Sequence, residues 1–219
     1  MHNITLIFTH HSELGKYNAQ ALCEVIHSIN PDVIFEELPK YYHAIAYKAI
    51  TSIAVEIDAI KMYLKHKIIE QIPVDTYKEC ETDIKDLEEL HEGISNLGDF
   101  KESIERNLII NNHCKLIIQY GLSFLNSNEN ELLCKQEKCL QRKIVKRSND
   151  NRLQQLERDC EEVVNKREYE IINNIYRYSE CNQYEQAIMF IGSGHQSTIL
   201  KVIEQFEEKE KLKLNWSFY

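Results

Sequence analysis

The chain has little of what interrupts a fold: in 219 residues there are only 6 glycines and 3 prolines. So few breakers exclude a collagen-like, mucin-like or linker polymer. Nothing approaches the roughly 18 consecutive apolar residues of a membrane-spanning helix, so no membrane partner is expected. Positive charge is also short, with 26 Lys and Arg against 35 Asp and Glu and a formal charge of −9. Without a global basic field, nucleic acid is not expected as a main partner, and adsorption to an anionic membrane is disfavoured. The seven cysteines never form a C-x-x-C pair, which removes the usual frame of a structural zinc site. Met1 to Phe8 carries neither a basic n-region nor a small-residue cleavage site. A reduced, cytoplasmic protein is therefore expected.

With 43% hydrophobic and 28% charged residues, enough apolar material is present for a sizeable core. Ile4-Thr5-Leu6-Ile7-Phe8, Val33-Ile34-Phe35 and Ala187-Ile188-Met189-Phe190-Ile191 are short apolar runs of the kind buried on both faces of a parallel sheet. Gln71 to Val74 adds a strand that Pro73 assigns to an edge, and Lys213 to Phe218 adds a last one. Ala21, Leu22, Val25, Ile26 and Ile29 predict a helix over 17–29, and an apolar face from Ala44 through Ile50, Ile53, Ile57 and Leu64 predicts another from Tyr41 to about Glu70. Residues 77–181 are almost all helix-compatible, with turn formers at 96–99, 126–130 and 148–150. The expected architecture is α/β: a mainly parallel sheet flanked by helices, with a large helical insertion. Residues 1–76 and 166–219 are assigned to the core and 77–165 to the insertion.

In parallel α/β sheets, ligands bind outside the carboxyl ends of the strands, where loops and helix N-termini converge. That edge carries His10, His11, Glu36, Glu37, Asp75 and His195. Imidazoles and carboxylates meeting at one edge suit a divalent cation that activates water. They equally suit a metal-free pair in which a histidine takes a proton from water while a carboxylate fixes its tautomer. The plain alternative is that each is a solvated loop residue or a helix cap. Gly192-Ser193-Gly194 allows close backbone approach but lacks the ending of a phosphate-binding P-loop.

Thr9-x-His11, Pro31 to Leu38 with its Glu36-Glu37-Leu38 ending, Arg167-Glu168 and Ile191-Gly192-Ser193-Gly194-His195, in that order, resemble the TraB/Tiki family. That family sits in a wider group with erythromycin esterase and ChaN-like proteins. The resemblance implies an α/β fold with a helical insertion and, for Tiki-like members, metal-dependent proteolysis. It implies His11, His195 and Glu37 as ligands of a divalent metal ion, with Glu37, Arg167 and Glu56 in catalytic roles. Phe8 stands where the family has glycine and Glu168 where it has aspartate. The leading expectation is a metal-dependent hydrolase acting on an amide or ester bond of a peptide or small molecule. The competing one is a catalytically inactive binding or regulatory module that self-associates through the helical insertion.

Overall fold

The computed structural model of the protein describes residues 2–49, 54–76 and 81–219, side chains at 81–84 excepted. Ile50 and Ile53 of the expected inward helix face, and the opening of the expected insertion at 77–80 with Cys80, lie outside the described residues.

In β1 (His2–Thr9) the side chains alternate between two apolar sheet faces. Ile4, Leu6 and Phe8 enter one core and Ile7 the other. α1 (Ala19–Ile29) begins at Asn18, whose side-chain oxygen accepts the Ala21 N–H, and ends at Asn30 in the left-handed conformation. β2 (Val33–Pro39) follows. The single helix expected from Tyr41 to Glu70 is instead two, α2 (Lys40–Lys48) and α3 (Val55–Leu64). The backbone is already extended at Ala49 and Ala54. Between them the sequence reads Ile-Thr-Ser-Ile, whose β-branched and hydroxyl side chains are weak helix formers. β3 (Glu70–Asp75) closes the first half.

A helical excursion comes next: α4 (Glu81–Ser95), α5 (Lys101–Tyr120), α6 (Leu122–Leu125), α7 (Asn128–Ser148) and α8 (Asn151–Cys181). Its breaks fall at the three expected turn clusters, with a fourth at Gly121. There the backbone has φ 62°, and an added Cβ would come within 3.0 Å of the Lys16 backbone. The chain then returns through β4 (Gln186–Gly192), a single 3-10 turn at Ser193–His195, α9 (Gln196–Lys209) and β5 (Leu214–Phe218).

The five strands among the described residues are all parallel in the order β3-β2-β4-β1-β5, so the proline-bearing β3 and the last strand β5 take the two edges. One face packs on α8 and α9 through Ile171, Ile172, Ile175, Ile199 and Phe206. The other packs on α1 and α3, and also receives Ile117, Leu122, Phe124 and Leu125 from the excursion. A third cluster joins Leu90 and Ile94 of α4 to Ile144 of α7 and to Leu153 and Leu156 of α8. The 31-residue α8, about 46 Å long at 1.5 Å per residue, therefore runs through position 165–166 without a break, from the third cluster onto the sheet.

Candidate functional site

The three central strands deliver the chemistry to one edge. Thr9 pairs with Gly192 and Glu36 with Phe190, so β1, β4 and β2 end level with one another. Glu37 and Leu38 lie in a register shift of β2 against β3, between the pairs Glu36 with Pro73 and Pro39 with Asp75. Such a bulge re-aims side chains at a strand end. Glu37 turns toward β4 and α8: its Oε2 accepts the Gly192 N–H at 2.7 Å, and its Oε1 lies 3.3 Å from an Arg167 terminal nitrogen and 3.4 Å from His195 Nε2. Glu36 takes the opposite side, accepting from Tyr47 Oη at 2.8 Å with His43 Nε2 at 3.3 Å. His10 curls back on its own turn, its Nδ1 3.0 Å from the Ser12 carbonyl. His11 is the member of that pair that reaches the site.

Both histidines are held from behind by a buried carboxylate. His11 Nδ1 lies 3.2 Å from Glu56 Oε1, and His195 Nδ1 lies 2.6 Å from Glu168 Oε1, which also accepts from the Thr198 hydroxyl at 2.6 Å. The second oxygens of Glu56 and Glu168 are buried and have no hydrogen-bond partner among the described residues. With Nδ1 engaged, the Nε2 sides of both rings are presented to the cleft. They meet Glu37 over Gly192, where a Cβ would stand 3.6 Å from Glu37 Oε2, 3.6 Å from His195 Cδ2 and 3.8 Å from His11 Nε2. The side-chain space of Gly192 is thus bounded by all three groups. Arg167 grips Asp75 through two nitrogens, at 2.8 and 3.3 Å, before reaching Glu37. The Glu56 hydrogen bond raises His11 to about 9, with the Glu56 and Glu37 charges adding to the effect against the lowering by burial and by Arg167.

His11, Glu37, Arg167 and His195 are thus brought together, and Glu56 joins as the partner of His11. Phe8 is buried in the sheet core and does not face this space. Glu168 is fully buried and supports His195, a role for which the sequence offers one signal: a carboxylate on the inward helix face of Val164, Ile171, Ile172 and Ile175. Asp75 is one of the strand-end carboxylates that the sequence places at this edge, but its bonds with Arg167 depend on the path of α8. A cavity of about 40 Å³ opens beside His11, Glu36, Glu37 and Glu56, and another of about 100 Å³ lies along Leu87, Cys160, Val163 and Val164 up to Arg167.

The donor types suit a divalent cation. Two imidazoles with carboxylate-held Nδ1 atoms face a third carboxylate, the usual outer-shell arrangement of metal-bound histidine. Glu36, Glu56, Asp75 and Glu168 are buried around them, an excess of negative charge that favours a positive occupant. Among the described residues, no three His, Cys, Asp or Glu side chains stand at closed ligand spacing, and Glu37 spends its oxygens on Gly192, Arg167 and His195. No protein-family model matches the chain, and neither the curated proteins nor the solved structures include a significant match.

Proposed function

We propose that the protein is a hydrolase acting on an amide or ester bond at the His11, Glu37 and His195 edge, with a divalent metal ion as cofactor. One observation carries the reading. Two histidines from different strand ends, each anchored at Nδ1 by a buried glutamate, present Nε2 to a carboxylate across the open space of Gly192. A loop histidine with only a solvent role has no use for a buried carboxylate behind it, because burying that charge is costly.

His11 and His195 would hold the ion through Nε2, with Glu37 as third ligand or as general base. Bound there, a metal ion supplies Lewis acidity and lowers the pKa of water. The chain's own groups do the rest. Glu168 and Glu56 hold their partner rings with Nε2 facing the reaction space. Arg167, clamped by Asp75, orients Glu37 and places positive charge where a carbonyl oxygen becomes negative. Glu37 Oε1, where it is not a ligand, faces the same space and is the group to take a proton from the attacking water and pass it to the leaving oxygen or nitrogen. The apolar walls by Arg167 suit a substrate with an apolar group beside the scissile bond.

The test uses protein never exposed to chelator: metal content by mass spectrometry, and hydrolysis of p-nitrophenyl esters and peptide amides with and without EDTA. Bound metal and activity, both lost in His195→Ala with unchanged circular dichroism, support the reading. Activity that survives chelation and rises toward pH 9, as His11 loses its proton, leaves a metal-free hydrolase with His11 as base. No hydrolysis of any ester or amide by metal-loaded protein removes the enzyme reading.

A second reading has its own observation. Ile104 and Leu108, one turn apart on α5, and Leu132 on α7 are more than half exposed. An association surface on the excursion would cover them. Light scattering of the wild type against Leu108→Glu decides whether copies meet there.

A further inference from the structure

Asn126 and Asn130 stand at the corner between α6 and α7, far in sequence from either histidine, yet this corner reaches both strand ends that carry them. β5 accompanies β1 only as far as Leu6, so the backbone of Phe8 has lost its neighbour on that side. Asn126 replaces it. The Phe8 N–H donates to Asn126 Oδ1 at 2.8 Å and Asn126 Nδ2 donates to the Phe8 carbonyl at 3.0 Å, so one side-chain amide extends the ladder as a peptide group would. Phe8 is three residues before His11. Asn130, fully buried, donates through Nδ2 to the Leu125 carbonyl and to Gln196 Oε1, both at 3.0 Å, and its Oδ1 lies 2.7 Å from His113 Nε2. Gln196 directly follows His195. From the same helix, Lys138 Nζ donates to the Gly194 carbonyl at 3.3 Å.

We infer that Asn126 and Asn130 are positioning residues: through Phe8 and Gln196 they set the two histidine-bearing strand ends relative to each other, which makes the α6–α7 corner part of the site. A buried amide with its donors and acceptors matched holds a narrow geometry, because displacement strands polar groups away from water. The inference adds to the hydrolase reading and depends on it only for the kinetic readout. The misplacement of reacting groups by about 1 Å costs on the order of 100-fold in rate.

The test compares Asn126→Ala and Asn130→Ala with Arg106→Ala, which breaks the α5–α7 ion pair with Glu137 but touches neither loop. Imidazole resonances of His11 and His195, melting temperature, kcat and KM are measured for each. The Asn variants are expected to shift the histidine resonances and to lose about 10- to 100-fold in kcat with KM little changed. Arg106→Ala should lower the melting temperature without either effect. In a double-variant cycle, Gln196→Ala should add little once Asn130 is Ala. Should an Asn variant not fold, Lys138→Ala, an exposed change, should still shift His195 and leave His11 unmoved. Wild-type histidine resonances in Asn126→Ala, Asn130→Ala and Lys138→Ala would overturn the inference. If the wild type hydrolyses nothing, the resonances still decide this point and the hydrolase reading falls alone.

Discussion

At the scale of single residues, the two histidine–glutamate pairs lead to different expectations. Glu168 has no exposed surface and supports His195, so Glu168→Gln should lower hydrolysis or metal affinity by roughly 10- to 100-fold with the sheet intact. Wild-type values for both would remove it from the site. His11 is raised to about 9 by Glu56, so the pair's contribution to stability is complete below about 6.5 and is lost as pH rises through about 9. The ring is 64% exposed, so solvent screening keeps that contribution small. In urea titrations, the wild-type midpoint should fall more between pH 6 and 9.5 than that of Glu56→Gln. Equal slopes would show that the pair is not formed. Cys134 lies near His113 and Asn130 in a grouping reminiscent of a thiol catalyst, but burial pushes its thiol up to about 11. Its alkylation at pH 8 should therefore be about 100-fold slower than that of an unperturbed thiol, as read by mass spectrometry.

At the scale of elements, two glycines decide how the excursion returns to the sheet. Gly15 has φ 56°, and a Cβ there would stand 2.6 Å from the Ile118 carbonyl oxygen, which itself accepts the Lys16 N–H. Left-handed strain and a clash with backbone act together, so Gly15→Ala should destabilise by at least about 1–3 kcal/mol, measured by denaturant midpoint. A neutral effect would mean that the loop before α1 is not fixed against α5. Of the elements themselves, the apolar runs of β1, β2 and β4 and the stripe of α1 were legible because burial on sheet faces or one helix side imposes a period on the sequence. The break between α2 and α3 was not, because an apolar face continues across it and local propensity there is only weakly unfavourable to helix. The break at Gly121 is carried by a single residue whose conformation depends on contact with Lys16.

At the scale of the whole molecule, α8 is the element that joins the parts. Leu153 and Leu156 belong to the cluster with α4 and α7, while Ile171, Ile172 and Ile175 belong to the sheet core. α5 and α6 also pack on the opposite sheet face. Elements sharing buried surface unfold together. The only tryptophan, Trp216 on β5, reports on the sheet, and circular dichroism at 222 nm reports mostly on the helices. Their thermal transitions should coincide. A separate early loss of helix would show that the excursion folds as its own unit.

The sequence by itself determined the class of this protein, since alternation, apolar run length and breaker positions are local properties that burial forces into the chain. It also placed His11, Glu37 and His195 at strand ends, because parallel strands leave their carboxyl ends at one edge. What those residues touch was decided only by the tertiary structure. A strand order that sets β4 between β2 and β1 brings Gly192 beneath Glu37 and both histidines, and the path of α8 carries Arg167 to Asp75 and Glu168 to His195. The α6–α7 corner carries Asn126 to Phe8 across 118 positions. Such pairings leave no period in the sequence, because a single hydrogen bond between distant residues constrains two positions and nothing between them.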